Sequence, residues 1–189
     1  MTQPTAEALS LLEYRLSAVT IGHLALRYAM AWDTPPSLEI YFDGRQVIEG
    51  KATAFTNAAI ESAIMHSRAL LEFLGLGSKT QIQLCECSSR RDDDLCIERF
   101  TGLSKISVQQ VVNAYPGPSA EAEAALAYVV YLANKGLAHT TTSFSRHDEG
   151  AKLLEIAFRG IPVLVVNAFY VPLGIQPPSY ELRGRKHPV

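Results

Sequence analysis

The chain has 189 residues, 48% of them aliphatic, aromatic or cysteine, which is enough apolar content to build a core and excludes a disordered segment. Its 17 basic and 19 acidic residues leave a net charge of −2, which excludes the overall positive field of a protein that coats nucleic acid. Three cysteines are too few, and odd in number, for a disulfide framework.

Residues 5 to 31 read as an amphipathic helix. Leu9, Leu12, Leu16, Val19, His23, Leu26 and Met30 recur at alternating three- and four-residue steps. Asp33-Thr34-Pro35-Pro36 stops it, because proline disfavours helical backbone in the residue before it. Two strand-like runs, Glu39 to Phe42 and Arg45 to Ile48, flank Asp43-Gly44, a pair suited to a two-residue turn with positive φ. A small β-hairpin is therefore predicted at 38–48. Residues 51 to 74 form the second strong helix. One row is Ile60, Ile64, Ser67, Leu71 and Leu74; the next is Ala59, Ala63, His66, Leu70 and Phe73. Gly75 and Gly77 supply its stop.

Residues 78 to 118 carry weaker signals. Asp92-Asp93-Asp94 suits a helix start before Leu95, where carboxylates meet the positive end of the dipole. Val108, Val111, Val112 and Tyr115 fit a short helix, or a strand given their β-branched content. After Pro116-Gly117-Pro118, Ser119 reads as the N-cap of a helix to about His139. A last helix opens at Asp148 or Glu149, and Gly160 and Pro162 are expected to kink or split it. The fold expected is mainly α: an up-and-down bundle of four to six helices in a single domain, 1–174, followed by a flexible basic tail, 175–189.

The start, MTQPTAEALS, lacks a basic region followed by an apolar run, so no secretory signal is expected. The most apolar stretch, Ile161 to Leu173, is shorter than the roughly 20 residues a membrane helix needs. The expected setting is thus cytoplasmic, without a membrane partner. Cys85-Glu86-Cys87 with Cys96 does not match the spacing of zinc sites, so neither metal nor cofactor is expected. No phosphate-binding glycine loop, nucleophile elbow, zinc-protease helix or calcium loop is present.

What remains is polar groups on apolar helices. His23 lies in the first stripe, and His66 near the apolar side of the second helix; with Tyr14 and Tyr128 they are candidates to line a ligand pocket between helices. Arg68 and Glu72 are four apart and can pair. Lys135 and His139 are also four apart, and a histidine beside a lysine loses its proton more readily, which suits a general base. The competing role for His139 is to stabilise the end of its helix.

The run His66 to Leu74, followed downstream by Asn134-Lys135-Gly136-Leu137-Ala138-His139-Thr140, resembles a group of uncharacterised bacterial helical proteins that look like distant members of the HEPN class of helical bundles. That resemblance implies a homodimer that cleaves RNA without metal, with His139 as general base. HEPN ribonucleases place an arginine where this chain has Asn134, and asparagine lacks the positive fork that holds a phosphate. Lys135 or Arg68 would have to supply that charge. The reading favoured from sequence is a non-enzymatic helical bundle that binds a protein partner or small ligand; the alternative is a HEPN-like ribonuclease of phage-defence or toxin type using His139, Lys135, Asn134 and Arg68.

Overall fold

A computed structural model describes residues 2–87, 91–137 and 148–179. Helix α1 spans Ala6–Ala31, and Thr5 caps it by accepting the Ala8 N–H at 3.2 Å. Its inner side is Leu12, Leu16, Val19 and Leu26, with the small residues Ala8, Gly22 and Ala25. Met30, at the end of the expected stripe, is 50% exposed. Helix α2 spans Ala52–Leu74 and ends on Gly75, whose φ of 101° closes the last turn in the left-handed conformation that glycine tolerates. The two helices run antiparallel, with residues 14 and 15 beside 66 and residue 22 beside 59 and 63. At the last contact Gly22 packs directly on the Ala63 methyl and the Ala59 carbonyl.

Between these helices lies the predicted hairpin, somewhat longer than expected. Strands β1 (Ser37–Phe42) and β2 (Arg45–Lys51) pair antiparallel, and the Asp43-Gly44 turn has φ of 49° and 77°. Cross-strand partners share a face, so Leu38, Ile40, Phe42 and Ile48 line one side and Glu39, Tyr41, Gln46 and Glu49 the other. The ribbon projects from the helices: every residue of β2 is exposed, and Phe42 is 65% exposed.

The chain then forms a second hairpin that periodicity did not predict. Strand β3 (Leu76–Ser78) pairs with β4 (Leu84–Glu86), and Glu123 of a later helix accepts the Leu84 N–H at 3.1 Å. Asp92-Asp93-Asp94 does not open an α-helix. Asp94 turns back to accept the Arg91 N–H at 2.8 Å, and only a single 3-10 turn follows, Ile97–Arg99. Local side-chain to backbone bonding here competes with helix nucleation. The open choice at Val108 resolves as helix α3, Val108–Asn113, fixed by a capping box between Ser107 and Gln110.

Helix α4 spans Ser119–Tyr131, with Pro118 as its N-cap; Ser119 is the first helical residue rather than the cap expected. It continues as a π-helical segment, Leu132–Leu137, that contains Gly136. Helix α5, Asp148–Val165, runs unbroken through Gly160 and Pro162, so of the expected kink or split the split does not occur. Proline removes one helical hydrogen bond, and the packing of Phe158, Ile161 and Val165 into the core offsets that loss. A π turn, Val166–Tyr170, and helix α6, Val171–Leu173, complete it. Glu149–Leu173 is thereby long and apolar enough, by length and composition, to cross a membrane, which the shorter run counted in the sequence was not. In this fold one stripe of that helix, Leu154, Ala157, Phe158, Ile161, Val165 and Phe169, is buried in the core.

Among the described residues the protein is mainly helical with two small hairpins. Its core is one cluster drawn mainly from α1, α2, α4, α5 and the segment that follows α5, joined by Leu76 and Leu84 of the second hairpin, Ile97, Phe100 and Leu103 of the 3-10 region, Val111 of α3 and Leu132 and Ala133 after α4. Ile175, assigned from sequence to the tail, still packs on this core, and its N–H reaches the Tyr170 carbonyl at 3.0 Å. Ser67 is fully buried on α2, and among the described residues its hydroxyl has no hydrogen-bond partner. An unmet buried hydroxyl costs about 1–3 kcal/mol. Ser67→Ala is therefore expected to raise the melting temperature by about 2–4 °C, as read by a calorimetric or circular-dichroism melt. A lower melting temperature would show that the hydroxyl is satisfied after all.

Candidate functional site

Three segments enclose a cleft of about 500 Å³. Helix α1 contributes Leu11, Leu12 and Arg15; α2 contributes Arg68, Ala69, Glu72 and Phe73; the third wall is Cys87, Arg91, Asp93, Asp94 and Leu95. The helical residues meet there because spacings of three and four return to one face. The third wall is held by a long-range brace. Arg99 donates to the Arg91 carbonyl at 2.8 Å and to the Asp92 carbonyl at 2.5 Å, and the Lys105 ammonium donates to the Cys87 carbonyl at 3.1 Å. Gly75 leaves room for the Lys105 stem, since a Cβ there would lie 2.8 Å from the Lys105 Cβ.

The charges in the cleft are not equivalent. Arg68 gives both Nε and Nη2 to one Glu72 oxygen, each at 2.9 Å, so the pair foreseen from its spacing is formed. Arg15 is half-buried, and among the described residues it has no carboxylate partner. Its hydrogen bond is to an imidazole: Arg15 Nη1 lies 3.3 Å from His66 Nδ1. A guanidinium has no acceptor atom, so His66 must accept through a bare Nδ1 and carry its proton on Nε2. Burial, and then the Arg15 charge, hold the His66 pKa below its ordinary value. The Tyr14 ring stands edge-on to the imidazole, with centroids 5.0 Å apart and planes at 87°, which fixes the ring behind Arg15.

The four pocket candidates do not converge. Tyr14 and His66 touch, but Tyr14 is 62% exposed and opens onto a shallow groove of about 220 Å³ beside Ser17, Ala18 and Ile21. His23 faces α5 instead, with Nε2 3.4 Å from Glu155 Oε1. Burial, aided by the Arg27 and Arg159 charges, lowers its pKa despite Glu155, which acts to raise it. Tyr128 sets its hydroxyl against Gly150 of α5, where an added Cβ would lie 2.6 Å away, and burial raises its pKa.

Of the residues named for catalysis, Arg68 lines the cleft and neither Asn134 nor Lys135 does. Both sit in the π-helical segment after α4, where Lys135 is exposed. His139 lies outside the described residues. The sequence reading missed Arg15, Cys87, Arg91 and the cleft role of Asp93 and Asp94. Arg15 is separated from His66 by 51 positions, and no local pattern marks that pairing.

Among the described residues no group of three histidine, cysteine or acidic side chains is placed to hold a metal ion, and none of the three cysteines forms a disulfide. Comparison with protein-family models, with curated proteins and with solved structures gave no match.

Proposed function

We propose that this chain is a non-enzymatic helical binding protein, and that the cleft between α1, α2 and the wall of Cys87 and residues 91–95 receives a small ligand. The observation that carries this reading is the cleft itself. It pairs apolar residues, Leu11, Leu12, Phe73 and Leu95, with a few charged groups, which is the usual make-up of a small-molecule site. Its volume falls within the range of such sites. Arg15 is held by His66 and Arg68 by Glu72, so little ordering cost falls on these groups on binding.

Ala69 lines the cleft on α2 and is the place to block it. In a thermal-shift screen against a library of small metabolites, the wild type is expected to gain several degrees with at least one compound. Ala69→Trp should keep the helical circular-dichroism spectrum and lose that gain. Equal shifts in both proteins would place the ligand elsewhere. Metal-free cleavage of RNA that disappears in His139→Ala would replace this reading with the ribonuclease one.

A further inference from the structure

We infer that the ligand of this cleft enters through a single carboxylate seated on Arg15, and that His66 is the positioning residue that aims the guanidinium. The inference rests on the binding reading above and adds the ligand's chemical class to it.

Arg15 lacks a carboxylate partner among the described residues. The other arginines that are paired among the described residues meet an anionic group or a backbone carbonyl: Arg68 meets Glu72, Arg159 lies 3.8 Å from Glu155, and Arg99 meets two carbonyls. Arg15 is half-buried and meets a neutral ring. A half-buried guanidinium that touches no carboxylate is less well matched than a paired one, so its place on an open cleft points to an anion supplied from outside.

Its fork of N–H donors matches a planar carboxylate through two parallel hydrogen bonds. The rest of the lining sets the charge of the ligand. Glu72, Asp93 and Asp94 stand on the same cleft and repel a dianion or polyphosphate, while Arg68 is engaged with Glu72. Arg91 shares its wall with Asp93 and Asp94, which leaves the Arg15 guanidinium to take one negative charge. Leu11, Leu12, Phe73 and Leu95 then cover an apolar body attached to it.

His66 supplies direction. Its bare Nδ1 accepts from Arg15, and the Tyr14 edge keeps the ring in place. Arg15 and Tyr14 of α1 are the charged and titratable groups found against the ring among the described residues. Protonation of Nδ1 would remove the acceptor and set a second positive charge against the guanidinium. The His66 pKa is lowered from 6.5, so the accepting form persists at neutral pH and is lost as pH falls through the depressed value.

The test uses the full chain and thermal melts with sodium hexanoate, sodium phosphate and sodium chloride at matched ionic strength. Hexanoate is expected to raise the wild-type melting temperature above the chloride control; phosphate is not. Arg15→Met, which keeps the bulk and removes the charge, should melt about 2–4 °C higher than the wild type without ligand and show no hexanoate response. The wild-type response should fade as pH is lowered below 6.5. His66→Asn, whose side-chain oxygen can accept the same bond, should keep the response and flatten its pH profile.

A response to phosphate in place of hexanoate overturns the carboxylate assignment. A hexanoate response kept in Arg15→Met but lost in Ala69→Trp overturns the role of Arg15 and leaves the cleft as the binding site. A wild type that ignores hexanoate, with Arg15→Met melting lower than the wild type, makes Arg15 structural and overturns the inference outright. An unchanged pH profile in His66→Asn removes the positioning role.

Discussion

Gly22→Val is expected to lower the melting temperature by about 10 °C, and Gly22→Ala to lower it by a smaller amount. On an ordinary helix the alanine change would be stabilising by about 1 kcal/mol, because glycine is the poorer helix former. Here a Cβ at position 22 would overlap the Ala63 methyl and lie 2.9 Å from the Ala59 carbonyl oxygen. Neither obstacle is the end of a flexible side chain, so relief requires α1 and α2 to separate. Separation loosens the packing of Leu16, Val19 and Leu26 against Ile60 and Ile64, all of them buried. Overpacking costs typically about 1–3 kcal/mol, and the two further carbons of valine bring it to the upper end. For a chain of this size each kcal/mol moves the melting temperature by about 2–4 °C. The check is a pair of melts with Gly22→Ala alone and with Gly22→Ala/Ala63→Gly together. Recovery in the double variant isolates the contact. A single variant more stable than the wild type would show that the helices already have the room.

Phe169→Ala is expected to cost about 3–5 kcal/mol, the usual range for deleting a fully buried phenylalanine. Phe169 is fully buried, and its ring meets Phe73 at 5.4 Å, Phe100 at 5.1 Å and Tyr170 at 5.1 Å, each edge-on. Those rings come from α2, from the segment after the 3-10 turn and from the π turn after α5, so one side chain joins three distant stretches of chain. The cavity left by alanine is walled by rings that cannot follow it inward without leaving their edge-on contacts. Urea unfolding followed by circular dichroism gives the measurement. A loss below about 1 kcal/mol would mean that the cluster repacks and that Phe169 is not its centre.

Much of this architecture can be read from hydrophobic spacing. Leu12, Leu16 and Val19, then Ile60, Ile64 and Leu71, mark the inner faces of α1 and α2 because a helix returns the same face every 3.6 residues. Asp43-Gly44 marks the first hairpin, because its backbone conformation is one that few other pairs adopt. The second hairpin lacks such a marker: strands of three residues are too short to show alternation, and Leu84 gains a partner only when Glu123 arrives from α4. The π segments are equally silent, since a slip of one residue in the backbone ladder leaves hydropathy unchanged. At the cleft, Arg68 and Glu72 announce themselves by spacing within one helix, whereas Arg15 acquires its meaning from His66 on another. Asp93 and Asp94 read as helix-start residues until the fold turns them toward the cleft.

The projecting ribbon of β1 and β2 has a consequence for how α1 finds α2. About 20 residues connect the two helices, and as a slack loop they would carry the closure entropy of that length. Pairing Ser37 with Lys51 shortens the effective connection to about six residues. On the logarithmic scaling of loop closure, that saves about 1 kcal/mol when the helices come together. The Ala52 N–H, bonded at 2.9 Å to the Pro36 carbonyl, fixes the ribbon where it joins α2. A ribbon that buries little of itself thus acts as a clip: it contributes to the helix pair by restricting the unjoined chain rather than by adding contacts to the joined one.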